Sequence, residues 1–330
     1  MSLEKFFNPA SVAVVGASQK KGKVGYELLI NLVKAGYKGK IYPVNPNTPA
    51  IEALKCYPDL GSIGQIPELV IIIVPANIVP AVMQQCAKIG VKAVIIITAG
   101  FKEIGKEGKD LEQQVIQIAR RANIRVIGPN CLGVIVPKNN LNASFGGDLP
   151  RPGAIGYISQ SGALLAAILD MANAEGIGFS KLVSIGNKAD VNELDVIEAL
   201  GEDSDTKVIA GYLESITNGS SFVAQAEQIS HNKPILLIKA GGPAAGARAA
   251  SSHTGSLVGR ETAYECVFAR AGIVRCESIR QQFDYAQAFT NQPPPAGQSV
   301  AVITNAGGVG IMAADAIERA KSTKPEDIKE

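Results

Sequence analysis

Short, almost wholly apolar runs alternate with amphipathic stretches through the first 130 or so residues of the chain. The clearest runs, residues 69–74 and 93–97, contain only Leu, Val, Ile and Ala. Continuous apolar strands are typical of parallel sheets covered on both faces. We therefore predict a Rossmann-like domain over residues 1–130, with strands at residues 11–15, 40–44, 69–74, 93–97 and 124–127 and helices at 24–35, 80–89 and 107–122.

A second set of strand and helix patterns follows the proline- and glycine-containing break at residues 149–153. The fold class is therefore α/β, with a second domain over residues 131–290. The pattern predicts strands at residues 154–158, 180–185, 207–213 and 235–239, and helices at 162–175, 193–200, 220–230 and 260–271.

The C-terminal residues follow a proline-rich linker at residues 291–298. An apolar run at 299–303, a glycine-rich turn and a helical pattern to about residue 320 predict the start of a third α/β domain over residues 299–330. One strand and one helix cannot form a core, because a domain needs on the order of 100 residues. We expect further chain, or a partner protein, to complete it.

Composition and charge exclude several classes of protein. The 32 basic and 30 acidic residues give a net charge of +2, which is too balanced for a nucleic-acid binder. The apolar runs are far shorter than the roughly 20 residues that span a bilayer, and the first residues lack a signal-peptide pattern. The five cysteines are widely spaced and odd in number, so we predict a cytoplasmic protein with neither a disulfide framework nor a zinc site.

The predicted strand ends of the first sheet carry small and polar residues, and ligands of parallel sheets bind at such ends. The loop after the first strand contains lysines and opens a helix, which suits a phosphate. Its spacing is not Gly-x-Gly-x-x-Gly, and no acidic residue ends the second strand, which argues against NAD and leaves room for another adenine nucleotide with more phosphate, such as coenzyme A. Each turn taken alone is also explained by simple chain reversal. The candidate cofactor-binding residues are Gly16, Ala17, Ser18, Lys20, Lys23, Asn45, Pro75, Thr98, Ala99, Asn130 and Cys131.

The strand ends of the second sheet carry a different polar set. One of them passes directly from strand to helix, where backbone amides and hydroxyls suit an anion, although Ser161 would equally serve as an ordinary helix cap. The candidate phosphate-binding residues are Ser159, Gln160, Ser161, Gly162 and Asn187.

Two further residues are candidates for catalysis. Glu214 follows an apolar strand, where a carboxylate needs a partner unless it lies at the surface. His253, one of only two histidines, stands in a run of small residues that predicts a surface loop. A carboxylate that binds one ring nitrogen leaves the other free as a nucleophile. The alternative for His253 is an exposed histidine without a role.

An ordered set of motifs resembles the α chain of ADP-forming acyl-CoA synthetases, which are relatives of the succinyl-CoA synthetase α subunit. The resemblance covers nearly the whole chain and implies a CoA-binding first domain and a flavodoxin-like second domain that carries a phosphohistidine. The motifs are Asn-Pro-Ala-Ser-Val-Ala-Val-Val-Gly-Ala-Ser at residues 8–18, Tyr-Pro-Val-Asn-Pro at 42–46, Gly-Pro-Asn-Cys at 128–131, Ser-Gln-Ser-Gly at 159–162, Ser-Ile-Gly-Asn-Lys at 184–188, Leu-Glu-Ser at 213–215 and Ser-His-Thr-Gly-Ser at 252–256.

The resemblance implies a reaction and a role for each group. Acyl-CoA, phosphate and ADP would give carboxylic acid, CoA and ATP, reversibly, through an acyl phosphate and a phosphorylated His253. Glu214 would orient the histidine, and the Ser-Gln-Ser-Gly helix start would bind the phosphate. Cys131 would lie near the CoA thiol without acting as a nucleophile.

The resemblance also implies a partner. The sequence contains no Gly-x-x-x-x-Gly-Lys-Ser/Thr motif and nothing like an ATP-grasp domain, so ADP or ATP and Mg²⁺ are expected on an ATP-grasp β subunit or domain, within an oligomer. The main alternative is a non-catalytic CoA-binding regulatory or scaffold module of the same fold. An NAD-dependent dehydrogenase is a more distant one. The acyl group, and the choice between ADP and GDP, stay open.

Overall fold

The apolar runs of the N-terminal part form a parallel sheet in a computed structural model that describes residues 3–241, 261–293, 297 and 299–322. The strands of this part are β1 (Ser11–Val15), β2 (Lys40–Val44), β3 (Ala50–Ile51), β4 (Leu54–Lys55), β5 (Leu69–Ile72), β6 (Ala93–Ile96) and β7 (Arg125–Ile127). Five of them lie in the order β2-β1-β5-β6-β7, while β3 and β4 form a hairpin. Val15 pairs with both Val44 and Ile72, so the carboxyl ends of these strands lie at one edge.

Helices pack on this sheet and explain its continuous apolar strands. They are α1 (Glu4–Phe7), α2 (Val24–Lys34), α3 (Val79–Ile89) and α4 (Lys106–Arg121). Every residue of β5 and β6 is at most 1% exposed. Full burial of such a side chain contributes roughly 1.5–3 kcal/mol, so these strands hold the centre of the fold.

The second sheet is larger than predicted and of mixed direction. Its strands are β8 (Gly133–Val136), β9 (Leu141–Ser144), β10 (Pro152–Ser159), β11 (Phe179–Ser184), β12 (Val208–Leu213), β13 (Ile235–Lys239) and β14 (Val274–Arg275). They lie in the order β14-β13-β12-β10-β11-β8-β9. The antiparallel β8–β9 hairpin extends the sheet beyond β11. The proposed domain boundary at residue 130 falls between β7 and β8.

The helices of the second part are α5 (Gly162–Glu175), α6 (Glu193–Glu202), α7 (Gly219–Ser230), α8 (Glu261–Arg270) and α9 (Ile279–Asn291). Tyr157 of β10, Phe179 of β11 and Phe283 of α9 form an aromatic cluster, with the first and last rings stacked at 5.8 Å. The Gln282 amide reaches across the same interface and bonds the carbonyls of Gly211 and Leu236. α9, which the sequence analysis did not predict, is therefore part of the core.

The chain forms two compact units, Met1–Asn291 and Gln292–Glu330. The second contains α10 (Gly307–Ser322), which confirms the predicted helix. The predicted strand at residues 299–303 is wrong, because these residues form no strand in the structure. A strand needs a neighbouring strand to pair its N–H and C=O groups. Ile303, at the end of the predicted strand, is 97% exposed and is not packed as a strand residue in a sheet would be.

Several further expectations were tested by the structure. The predicted strands and helices of residues 1–240 are confirmed, with ends that shift by only a few residues. All five cysteines are free thiols in the structure. Within the described ranges no helix combines the length and the apolar character that a membrane crossing demands.

Candidate functional site

A cleft of about 690 Å³ lies where the strand ends of the first sheet meet the start of α5. One side is formed by residues after β5, β6 and β7, and the other by residues 160–166. The structure thus brings part of each predicted set of ligand residues to one place, while Gly16, Ala17, Ser18, Lys20, Lys23, Asn45, Ser159 and Asn187 do not line the cleft. The predicted residues that line it are Pro75, Thr98, Ala99, Asn130, Cys131, Gln160, Ser161 and Gly162.

The start of α5 has the features of an anion site. The Ser161 hydroxyl accepts a hydrogen bond from the Leu164 amide at 3.3 Å and so caps the helix. The Ser159 hydroxyl binds Ser161 from both sides, accepting from its amide and donating to its carbonyl. Within the described part of the chain, the amides of Gly162 and Ala163 have no recorded acceptor, and both residues line the cleft. Helix N-termini with open amides attract anions.

The loop after β1 is tightly shaped. Gly16 has φ +92°, and a Cβ there would lie 2.5 Å from the Ile73 carbonyl oxygen. The Asn45 amide donates to the Ala17 carbonyl at 2.7 Å, so the end of β2 holds the loop. The Ser18 hydroxyl accepts from the Lys20 amide at 3.0 Å. Of this segment, only Val24 lines the cleft, directly after the exposed Lys23.

The residues after β6 and β7 are held by hydrogen bonds that leave few side-chain groups for a ligand. The Thr98 hydroxyl donates to the Val74 carbonyl at 2.7 Å, and the Thr98 carbonyl accepts from the Asn130 amide at 3.0 Å. The Cys131 thiol faces the Ile96 carbonyl at 3.3 Å, and burial raises its pKa to about 12. A thiol with that pKa stays protonated at neutral pH.

Asn187 is held by carboxylates rather than left open for a phosphate. Its side-chain amide donates to Glu103 at 2.6 Å and to Glu112 at 2.8 Å, which uses both N–H groups. Its carbonyl oxygens accept from Asn130 and Lys102. Asn187 therefore braces the end of β11 against the first sheet, and its predicted role as a phosphate ligand has no donor left to serve it.

The two carboxylates at this brace differ in their pKa. Burial raises the pKa of Glu112, against the opposing effects of Asn187 and Lys102. Burial also opposes ionisation of Glu103, but hydrogen bonds from Asn187 and from the amides of residues 100 and 101 outweigh it and lower the pKa. Sequence reasoning missed this cluster. The available signal was Glu112, a charged residue at a core-facing position of α4 beside the buried Val115, Ile116 and Ala119.

Gln160 and Glu214 are close neighbours at the strand ends of the second sheet. The Gln160 carbonyl oxygen accepts from the Glu214 amide at 2.9 Å and from the Ser215 amide at 3.2 Å. Glu214 itself is 9% exposed, which is unusual for a carboxylate and excludes the simple surface alternative. Lys188 and Glu193, which sequence reasoning did not assign to the site, form a buried ion pair beside them. His253 lies outside the described residues.

Comparisons with known proteins agree with this geometry. A CoA binding domain matches residues 10–137, and a succinyl-CoA ligase like flavodoxin domain matches residues 152–289. The α subunit of an ADP-forming acetate–CoA ligase I from Pyrococcus furiosus is 46% identical, over 96% of this chain and 70% of that protein. An ADP-forming 4-hydroxybutyrate–CoA ligase from Nitrosopumilus maritimus is 40% identical, over 97% of this chain but only 46% of its own length.

A solved structure is similar over the same range. It is a dinucleotide forming acetyl-coenzyme A synthetase 1 from Ca. Korarchaeum cryptofilum, in complex with phosphate and ADP. It superposes with a TM-score of 0.92 at 41% identity, covering 96% of this chain and 68% of the other. The folds of the two proteins are therefore the same over nearly all of this chain.

Proposed function

This chain belongs to the family of ADP-forming acyl-CoA ligases, and we propose that it is the CoA-binding, phosphohistidine-bearing component of such an enzyme. The overall reaction converts acyl-CoA, phosphate and ADP to carboxylic acid, CoA and ATP, reversibly. The observation that carries the proposal is the cleft in which the strand ends of the CoA binding domain face the open amides of α5. A thioester held on one side then lies beside a phosphate held on the other.

The CoA side combines positive charge with apolar surface. The exposed Lys20 and Lys23 in the loop after β1 supply charge for the phosphates of CoA. The lining beyond Val24 is largely apolar and includes Ile73, Ile97 and Phe145, which suits the pantetheine chain and a short acyl group. Relatives named for acetate and for 4-hydroxybutyrate support a short-chain acid as substrate.

The chemistry follows in two transfers. A phosphate oxygen attacks the thioester carbonyl carbon, the C–S bond breaks, and CoA leaves as a thiolate that takes up a proton. An imidazole nitrogen of His253 then attacks phosphorus, the bond from phosphorus to the acyl oxygen breaks, and the acid leaves as a carboxylate. The amides of Gly162 and Ala163 at the positive end of α5 stabilise the moving phosphoryl group, and Glu214 orients the histidine.

The final transfer, from phosphorylated His253 to ADP, requires a second site. We place it, with Mg²⁺, on an ATP-grasp β subunit or domain. The solved structure of a relative in complex with phosphate and ADP supports this assignment. A second support is that the 4-hydroxybutyrate–CoA ligase is more than twice as long as the segment that it shares with this chain. The names of these relatives do not favour a non-catalytic scaffold.

Phosphate transfer to His253 tests the proposal directly. The protein is incubated with acetyl-CoA, Mg²⁺ and labelled phosphate, alone and with an ATP-grasp component. The expected label is acid-labile and stable to alkali, as a phosphohistidine is, and it is lost in His253→Ala. The matched control is His231→Ala, which removes the other histidine, an exposed residue at the end of α7.

The outcomes are distinct. Label that disappears only in His253→Ala supports the proposal. Label that persists in His253→Ala places the phosphoryl group elsewhere and contradicts it. An unlabelled protein that still binds CoA, with the ATP-grasp component present, points to the scaffold alternative.

A further inference from the structure

A buried ion pair lies directly behind the strand ends that carry Glu214. The Lys188 ammonium donates to a Glu193 carboxylate oxygen at 2.9 Å, with side chains 6% and 0% exposed. Neither residue lines the cleft. A fully buried pair in an enzyme core costs desolvation and is often replaceable by apolar residues without loss of stability. Stability alone therefore does not explain why this ion pair is present.

The pair holds the backbone of the segment that begins with Glu214. Lys188 donates a second hydrogen bond to the Ser215 carbonyl at 2.8 Å. Glu193 accepts from the Thr217 amide at 2.5 Å and from its hydroxyl at 3.2 Å. The pair thus fixes both a carbonyl and an amide just after Glu214.

The same segment is held from the other side by Gln160. Its side-chain oxygen Oε1 accepts from the main-chain amides of Glu214 and Ser215, and its side-chain nitrogen Nε2 donates to the Ser215 hydroxyl at 3.3 Å. The main-chain groups that come just before and just after the Glu214 carbonyl along the chain are therefore hydrogen-bonded to buried or half-buried side chains. Little freedom is left for this carboxylate to change its position through the backbone.

The backbone at Lys188 is itself unusual. Lys188 has φ +55° and Gly186 has φ +51°, where a Cβ on Gly186 would collide with the Pro129 carbonyl oxygen. A non-glycine residue in the left-handed region carries a conformational cost. This turn aims the lysine inward, towards Glu193, rather than into solvent.

Charge links Lys188 to Glu214 as well. Burial lowers the pKa of Lys188, the carboxylates of Glu193 and Glu214 oppose that effect, and the Lys102 ammonium adds to it. Two carboxylates, one of them the candidate catalytic group, thus favour the charged form of one buried ammonium.

We propose that Lys188, with Glu193 as its counter-ion, is a positioning residue that fixes the segment from Glu214 to Thr217. This inference rests on the proposed function, because it assigns Lys188 a role in orienting the group that in turn orients His253. Lys188 touches no reacting atom in this scheme and acts through Glu214.

The test compares Lys188→Met with Lys181→Met in the full chain. Lys181 forms a similar ion pair with Asp203 at 2.6 Å, with side chains 11% and 14% exposed, on another part of the second sheet. Both variants leave a carboxylate without its ammonium, so both lose stability. We expect Lys188→Met to slow phosphohistidine formation roughly 10- to 100-fold, because small misplacements of catalytic groups have effects of this size. The CoA affinity of Lys188→Met, measured by calorimetry, should stay within about twofold of that of the original protein. The rate of phosphohistidine formation in Lys181→Met should likewise stay within about twofold of the original rate.

A second variant covers the case in which Lys188→Met does not fold. Lys188→Met with Glu193→Met replaces the whole pair by apolar side chains and leaves no unpaired charge. It should fold and bind CoA, yet remain as slow as the single variant, since neither methionine can hold Ser215 or Thr217.

The decisive readout is coupling to Glu214. In a Glu214→Gln background, Lys188→Met should slow the reaction by less than about twofold further, because its effect passes through the lost carboxylate. Equal slowing in both backgrounds, or a rate equal to that of Lys181→Met, would overturn the inference while leaving the proposed function intact. An original protein that forms no phosphohistidine overturns both.

Discussion

Replacing Asn187 by alanine tests whether this residue braces the fold or binds phosphate. The substitution removes two hydrogen bonds to carboxylates, at 2.6 and 2.8 Å, from a residue that is 7% exposed. A hydrogen bond to a charged group contributes about 1.5–3 kcal/mol. Glu103 keeps its bonds to the amides of residues 100 and 101, and Glu112 keeps Lys102 at 3.9 Å. We therefore expect a loss of about 3–6 kcal/mol in the free energy of unfolding near pH 7.

The loss should depend on pH, and its sign follows from the carboxylates. Asn187 lowers the pKa of both Glu103 and Glu112 in the folded protein. A group whose folded-state pKa is lowered contributes stability above its unfolded pKa and loses it as pH falls. The difference between the original protein and Asn187→Ala should thus shrink as pH falls, above pH 4.5 through Glu112, whose pKa is raised, and below pH 4.5 through Glu103, whose pKa is lowered. The change is about 1.4 kcal/mol for each unit by which Asn187 shifts a pKa.

Urea unfolding at several pH values measures this difference, with Asn142→Ala as a matched control. Asn142 is 1% exposed but bonds neutral groups, the Gly147 carbonyl and the Ser144 hydroxyl. Its loss should be about 1–3 kcal/mol and constant between pH 7 and pH 5. A small, pH-independent loss for Asn187→Ala together with weakened phosphate binding would refute the brace and restore the phosphate-ligand hypothesis.

Three further substitutions test other parts of the structure. In Gly25→Ala the new methyl group would collide with the Gly16 carbonyl oxygen, so the loop must shift and CoA binding, measured by calorimetry, should weaken by about 1–3 kcal/mol. Ala163→Asp places a negative charge at the start of α5, so it should stabilise the helix by about 0.3–1 kcal/mol in thermal unfolding while weakening phosphate binding. A less stable variant would contradict the inference that the start of α5 attracts anions. Burial opposes ionisation of Asp203, but hydrogen bonds, chiefly from Lys181, prevail and lower its pKa. The cost of Asp203→Asn should therefore be about 1.5–3 kcal/mol at neutral pH and fall away below about pH 4 in urea titrations.

The hydrophobic pattern was sufficient for most of the two sheets, and the exceptions have physical causes. β5, β6 and β10 are long enough, and buried enough, for their composition alone to identify them. β14 has two residues and pairs only through its position beside β13, which no local pattern encodes. The opposite error occurred at residues 299–303, where an apolar run has no neighbouring strand in the structure.

The polar site residues could be placed at strand ends from the sequence, but their individual roles could not. Asn187 and Glu103 are 84 positions apart, and Gln160 and Glu214 are 54 apart, so each pairing depends on the tertiary fold. Residue type was an unreliable guide for the same reason. Gln160 and Asn187 have the donors that suit a phosphate, yet the fold uses those side chains to fix neighbouring strand ends.

The polar side chains at the strand ends bond other protein groups, whereas the main-chain amides at the start of α5 stay open in the part of the chain that the structure describes. This difference affects how the cleft recognises its ligands. Asn45, Gln160 and Asn187 all bond protein groups at the strand ends, so among the described residues the main-chain amides at the start of α5 are the groups that we propose to bind phosphate. Backbone amides do not depend on the identity of a side chain, whereas the apolar lining around Phe145 is made of side chains. In the proposed reaction the backbone framework therefore holds the phosphate, and the side chains of the lining select the acid. Relatives named for acetate and for 4-hydroxybutyrate, at 46% and 40% identity to this chain, are consistent with that separation.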